Sequence, residues 1–224
     1  PLAVKMTEVV RERRLHILHA HYAVPHATAA VLARDWLPEE LRPGVVATLH
    51  GTDTTLLGRD PGYAPAIRHA LGKVDAITTV SEFLRRDTAR LVDIDHPIQV
   101  IPNFFTPRRP HRSRRAVRAE LGLCDREAMI LHMSNLRPVK RIDLLLEATA
   151  RIRPRESFRL VVIAGGDFAP FREQVRRLGL EDRVVVRENV SLIEDYVAAA
   201  DLSLITSESE SFCLSILEAM TFGC

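Results

Sequence analysis

Two carboxylates and a pair of cations carry the chemistry this sequence could do. Glu210 and Glu218 lie in Glu210-Ser-Phe-Cys-Leu-Ser-Ile-Leu-Glu218. The first stands in a Ser/Glu-rich stretch, the second among Leu214, Ile216, Leu217, Ala219 and Met220. This pattern predicts a strand from Asp201 to Ile205 and a turn bearing Glu210. A helix from near Phe212 follows, with Glu218 about two turns in. Ionised carboxylates accept hydrogen bonds in pairs, which suits vicinal hydroxyls. A helix N-terminus offers unpaired N–H groups to an anion. Together these groups could grip a sugar and a ribose with a diphosphate between them. They also fit an acidic first turn favoured by the helix dipole, plus one solvated glutamate.

Ser134-Asn-Leu-Arg-Pro-Val-Lys140 is a second such turn. Arg137 and Lys140 are near enough in sequence to converge on one ligand, where fixed cations would neutralise a departing diphosphate. A basic surface turn is the plain alternative. Gly165-Gly166-Asp167 follows an apolar run and could let a ligand approach the backbone, although glycines are ordinary in such turns. No dinucleotide fingerprint and no Walker loop is present, which argues against a nicotinamide enzyme. His19, His21 and His26 invite a metal reading, with His19 and His21 on one face of a strand. No Cys or carboxylate lies near enough in sequence to complete a ligand set, so no metal is expected. A strand-end histidine bonded to substrate fits better. His50 opens the turn His50-Gly-Thr-Asp53 and is either a substrate contact or a satisfied turn histidine.

The elements that must hold these turns follow from periodicity. Of 224 residues 46% are hydrophobic and 27% charged, which suits an ordinary globular protein of one large or two modest domains. A net charge of +2 gives no strong attraction to nucleic acid or a membrane. Cys124, Cys213 and Cys224 lack disulfide or metal spacing and fit a reducing cytoplasm. Neither a signal-peptide pattern nor a stretch of about 18 apolar residues is seen. The chain opens at Pro1 inside a helical pattern and stops at Cys224, so segments at both ends are expected to be missing.

Residues 3–14 read as a helix with a basic end, 16–21 as a strand, and Pro25 to about Leu37 as a helix opened by proline. Strands are expected at 44–49, 75–80 and 98–101, with helices at 63–72 and from a Ser81 cap to about Leu91. Residues 106–115 then hold Pro107, Pro110, Arg108, Arg109, Arg112, Arg114 and Arg115. With no aromatic residue interleaved, this run reads as a solvated connector and not a nucleic-acid patch. Beyond it come helix 113–121, strand 128–133 and helix 139–152, with Ile142, Leu145, Leu146, Thr149 and Ile152 on one face. Strand 160–164, helix 168–178, strand 183–187, helix 192–199, strand 201–205 and the final helix follow. Such alternation predicts parallel βαβ units, hence an α/β fold of two doubly wound domains, 1–105 and 106–224. Ligands then bind beyond the carboxyl ends of the strands.

With these turns in hand, the chain resembles the glycosyltransferase family 4 group of retaining enzymes over nearly its whole length. The most specific stretch, Ser207-Glu-Ser-Glu-Ser-Phe-Cys-Leu-Ser-Ile-Leu-Glu-Ala-Met-Thr-Phe-Gly223, is similar to that family's E-x-F-G-L…E-A-M…G signature. The resemblance implies a GT-B fold, two Rossmann-like parallel-sheet domains facing a cleft, with the amino-terminal domain incomplete and lacking its first strand and Gly-rich turn. It implies Glu210 on the hydroxyls of the transferred sugar and Glu218 on the ribose. Phe212, Cys213, Leu214 and Gly165 would lie against the donor, with Arg137 and Lys140 on its diphosphate. Cys213 stands where the family has Gly, and Asn135 where it usually has Arg.

Asn135…Arg137…Lys140, His-Ala-His-Tyr-Ala-Val-Pro-His26 and Thr48-Leu-His-Gly-Thr-Asp53 resemble one branch. That branch moves N-acetylglucosamine from UDP-N-acetylglucosamine to the hydroxyl of L-malate, opening bacillithiol biosynthesis. The likeness places Tyr22, Thr48, His50 and Asn135 around the acceptor, and implies catalytic parts for His50, Arg137, Lys140 and Glu210. It implies retention of configuration and no cofactor or metal. Its partners are a UDP-sugar and malate, with no nucleic acid or membrane, and homo-oligomerisation is left open. Another acceptor, lipid or polysaccharide, and an inactive sugar-nucleotide-binding fragment are the alternatives.

Overall fold

The computed structural model describes residues 1–52, 57–92, 97–124, 126–152 and 157–224. It divides into two compact units, Pro1–Asn103 and Phe104–Cys224. Asp53 lies outside the described residues.

The first unit runs α1 (Leu2–Arg13), β1 (Ile17–His21), α2 (Thr28–Asp35), β2 (Gly44–Leu49), α3 (Ala64–Lys73), β3 (Ala76–Thr79), α4 (Glu82–Leu91) and β4 (Ile98–Val100). Its strands are all parallel and lie in sequence order, β1-β2-β3-β4. Val45, Ala47 and Leu49 of β2 are fully buried, as expected of a strand with a neighbour on each side. Small side chains let α1 approach α2 through Ala3, Ala29 and Ala33. Ser81 caps α4, its hydroxyl accepting the Leu84 N–H at 3.2 Å. Pro25 does not open a helix: residues 23–27 form a wide turn interrupted by extended Val24, and α2 begins at Thr28.

The second unit runs α5 (Arg114–Glu120), β5 (Ala128–Ser134), α6 (Ile142–Ile152), β6 (Phe158–Ala164), α7 (Arg172–Arg177), β7 (Val184–Glu188), α8 (Ile193–Ala199), β8 (Leu202–Ser203) and α9 (Leu214–Thr221). Its parallel sheet has the order β7-β6-β5-β8. Alternation along the strands feeds two cores. Met129, Leu131, Met133, Val161 and Ile163 meet Val117, Tyr196, Val197 and Ala219 on one face. Ile130, Leu160, Val162 and Ala164 meet Ile142, Leu145, Leu146 and Val175 on the other. Continuous apolar strands are what a sheet covered on both faces requires.

The arginine-rich segment is not a purely solvated connector. Asp195, buried in α8, accepts the His111 and Arg112 backbone N–H groups at 2.6 and 3.1 Å and pairs with Arg112 Nε at 2.8 Å. Burial alone would raise this carboxyl's pKa, but these contacts outweigh it and hold the pKa below its usual value. Arg114 and Arg118 both pair with Asp201 at the foot of β8. Charge runs look solvated in sequence because the buried acids that answer them lie far along the chain.

Candidate functional site

The second sheet places a crevice where its order reverses. β5 and β8 are neighbours, yet the chain leaves β5 toward α6 on one face and β8 toward α9 on the other. The two post-strand loops therefore part at the carboxyl ends of these strands, which is where doubly wound sheets take ligands.

Those loops are tied to each other. Glu208 N–H donates to the Val139 carbonyl at 2.9 Å. The Thr206 hydroxyl donates to the Lys140 and Arg141 carbonyls at 3.0 and 3.1 Å. Above this seam Lys140 Nζ meets Glu210 Oε1 at 2.5 Å, and the Ser207 hydroxyl donates to the same oxygen at 2.6 Å. Both charged side chains are largely shielded, at 19% and 26% exposure, so their attraction is screened less than a surface pair's. Arg137 is exposed and, among the described residues, enters no ion pair; Asn135 is exposed as well. The structure thus joins Lys140 to Glu210 and leaves Arg137 apart.

Glu218 lies in a separate hollow of about 250 Å³ lined by Met133, Ser134, Gly165, Asn189 and Ile193. Burial, then the nearby Glu194 carboxylate, push its pKa up. Gly165 keeps this wall open: a Cβ there would stand 3.4 Å from the Asn135 Cα. The last helix starts later than expected. Cys213 adopts φ 59°, a left-handed conformation that ends the turn, and Leu214 is the first helical residue. Glu218 consequently sits just over one turn into α9, not two. Phe212 and Cys213 are half-buried on the turn, and Leu214 is exposed.

His132 was not singled out by the sequence. It is fully buried in the middle of β5. Its Nδ1 lies 2.8 Å from the Leu204 carbonyl and its Nε2 2.9 Å from the Ser134 hydroxyl. The signal available was a lone imidazole in the apolar run Ala-Met-Ile-Leu-His132-Met.

In the first unit, the carboxyl ends of β1 and β2 gather the other candidates. His19 Nε2 lies 2.7 Å from the Thr48 hydroxyl, which lies 2.7 Å from the Thr78 hydroxyl. His21 Nδ1 and His50 Nε2 are 2.8 Å apart. The His19 and His21 rings stack at 4.7 Å, and the Tyr22 ring tilts onto His50 at 5.1 Å. His26 Nδ1 reaches the His21 carbonyl at 2.6 Å. Burial, then His19 and His26, push the His21 pKa down, which favours its neutral form. Among the described residues, no three His, Cys, Asp or Glu side chains are arranged to hold a metal.

Comparison with known proteins agrees with this architecture. The family model described as Glycosyltransferase Family 4 matches residues 1–109, and that described as Glycosyl transferases group 1 matches residues 113–224. The chain is 38% identical over 99% of its length to N-acetyl-alpha-D-glucosaminyl L-malate synthase of Bacillus anthracis, covering 58% of that protein. It is 25% identical to alpha-monoglucosyldiacylglycerol synthase of Streptococcus pneumoniae over 98% of its length and 53% of that protein. Among solved structures it resembles Anabaena HepE in complex with UDP-glucose, with TM-score 0.79, 22% identity, all of this chain and 61% of that one covered. The chain thus spans little more than half the length of the curated relatives it matches. Two parallel-sheet α/β units, the two family models and the GT-B structural neighbours lead to one conclusion: this chain belongs to the glycosyltransferase family 4 group.

Proposed function

We propose that the protein transfers N-acetylglucosamine from UDP-N-acetylglucosamine to the hydroxyl of L-malate, with retention and without a metal. The observation that carries the reading is the Lys140–Glu210 pair at the reversal point of the second sheet, in a chain 38% identical to the malate synthase. In this reading the pair is a placeholder. An entering donor brings phosphate oxygens to Lys140 Nζ and sugar hydroxyls to Glu210, so each charge exchanges one partner for another and neither is left bare. Lys140 then faces the charge that grows on the departing diphosphate, where a preorganised cation lowers the barrier most. Glu218 accepts the ribose hydroxyls in its hollow beside Gly165. Glu210 and Glu218 are positioning groups; they are not the acid and base of a glycosidase.

In the first unit the reading assigns Tyr22, Thr48 and His50 to the acceptor; in the second it assigns Asn135 to the reacting sugar and Arg137, with Lys140, to the donor's diphosphate. It places the reaction in the cytoplasm. The test is incubation with UDP-N-acetylglucosamine and malate, followed for UDP release and for a new glycoside by mass. Turnover with a diacylglycerol or polysaccharide acceptor but none with malate would replace the acceptor. UDP binding without any turnover would leave a sugar-nucleotide-binding fragment. Activity abolished by EDTA and restored by one added metal ion would remove the metal-free mechanism.

A further inference from the structure

For a neutral ring, the hydrogen bonds at His132 admit one arrangement of protons. A carbonyl oxygen only accepts, so Nδ1, at 2.8 Å from the Leu204 carbonyl, carries the hydrogen. Nε2 of the neutral ring must then accept, and the Ser134 hydroxyl, 2.9 Å away, donates to it. The Ser134 oxygen is left to accept, and the Leu136 N–H donates to it at 3.3 Å. Four groups are thereby ordered in one direction: Leu136 N–H to Ser134 O–H, to His132, to the Leu204 carbonyl. The chain crosses from the turn that leads to Lys140 to the loop that leads to Glu210. Leu136 itself takes φ 54°, a conformation a leucine adopts only when its surroundings hold it.

We propose that His132 is a positioning residue for the nucleotide site: through this ordered relay it sets the register of the Lys140 turn against the Glu210 loop. The proposal deepens the reading of that crevice as a diphosphate site, and its first test needs no ligand. A fully buried imidazole in an apolar strand is costly unless both nitrogens are satisfied, and here both are satisfied where the two site loops leave the sheet, by Ser134 at the end of β5 and by Leu204 just after β8. A leucine would fill the space and suit the strand; what it could not do is bind the loops together. The neighbouring charges bear on the ring in opposite senses: Lys140 disfavours a second proton on it and Glu210 favours one, while burial disfavours it most.

The experiment uses the 224-residue chain and three variants, His132→Leu, His132→Asn and Ser134→Ala. Long-range proton–nitrogen correlation on imidazole-labelled protein should show His132 as a pure Nδ1–H tautomer. Amide hydrogen exchange reads the register through Glu208, whose N–H bonds the Val139 carbonyl across the seam, against Leu160, whose N–H bonds the Arg183 carbonyl at the start of β6. In His132→Leu, Glu208 exchange should accelerate about tenfold or more while Leu160 is unchanged. His132→Asn, which keeps a donor near Nδ1, should recover most of the protection, and Ser134→Ala should fall between. Calorimetry with UDP should show the same ranking in affinity. An Nε2–H tautomer, or Glu208 exchange unchanged or rising only in step with Leu160, would overturn the proposal. Wild-type protein that fails to bind UDP would sink the nucleotide reading and leave the relay to be judged on tautomer and exchange.

Discussion

The two sheets answer the same problem differently at the carboxyl ends of their strands. In the first, strands lie in sequence order and the ends hold two hydrogen-bonded groups of imidazoles and hydroxyls, His19 with Thr48 and Thr78, and His21 with His50. In the second, the order reverses between β5 and β8, and the ends hold an ion pair with a further carboxylate beside it. The difference follows from topology. Where two adjacent strands send their helices to opposite faces, the two post-strand loops meet across the strand ends and partly shield an ion pair between them. Where all described neighbours are sequential, the polar groups close on one another. On the proposed function, the charged donor would go to the second unit and the smaller, hydrogen-bonding acceptor to the first.

That division can be broken most directly at its strongest charge. Lys140→Ala should lower turnover by about 10²-fold or more, the scale for one preorganised charge contact, measured as UDP release at saturating donor. A rate near wild type would remove the diphosphate role from this residue. The next effect should separate the two ends of the nucleotide. Glu218→Ala should weaken UDP binding by roughly 1.5–3 kcal/mol, the worth of a hydrogen bond to a charged group, while inorganic diphosphate binds as before. Equal losses for both ligands would place Glu218 away from the ribose.

On the other side of the comparison, Thr48→Val should cost about 1–3 kcal/mol of stability in thermal unfolding, because it strands both His19 Nε2 and the Thr78 hydroxyl. It should raise the malate KM and leave UDP affinity alone. A changed UDP affinity would blur the division.

Acid should act on the second unit through His132. Burial holds its folded pKa below the ordinary histidine value. Between that ordinary value, about 6.5, and the lowered one, the unfolded chain binds a proton that the folded chain does not. Stability therefore falls as the pH drops through this window, by about 1.4 kcal/mol for each unit of depression. His132→Asn removes the term, so its melting curve should lose less between pH 7 and 5 than wild type. The smallest effect belongs to Cys213. Its φ of 59° costs an L-residue about 1–2 kcal/mol, offset in part by the greater unfolded-state entropy of glycine. Cys213→Gly should raise the melting temperature by a few degrees; a fall would mean that the thiol's contact with the Ser215 hydroxyl outweighs the strain.

Much of this was legible in the sequence. The apolar runs at 128–133 and 160–164 and the turns after them announce a parallel sheet, because period and punctuation are local properties. Ser81 announces its cap for the same reason. Glu210 and Lys140 were readable as residues of interest, yet their 2.5 Å contact was not, since it depends on which strands become neighbours. His132 was hidden because one polar residue in an apolar strand gives no hint of its partners. The late start of α9 was hidden because the apolar series continues through Phe212 while the backbone breaks at Cys213, a conformation that composition does not encode.

Arg112, Arg114 and Arg118 carry one more implication. What they grip lies on α5, on α8, at the foot of β8 and just before β5, so the segment entering the second unit is fastened to the unit it enters. Asp201 receives two of these guanidinium groups and the Met129 N–H at the end of the sheet remote from Lys140. A chimera joined ahead of His111 would keep this buckle whole, so the second unit would carry its own fastening into a new partner.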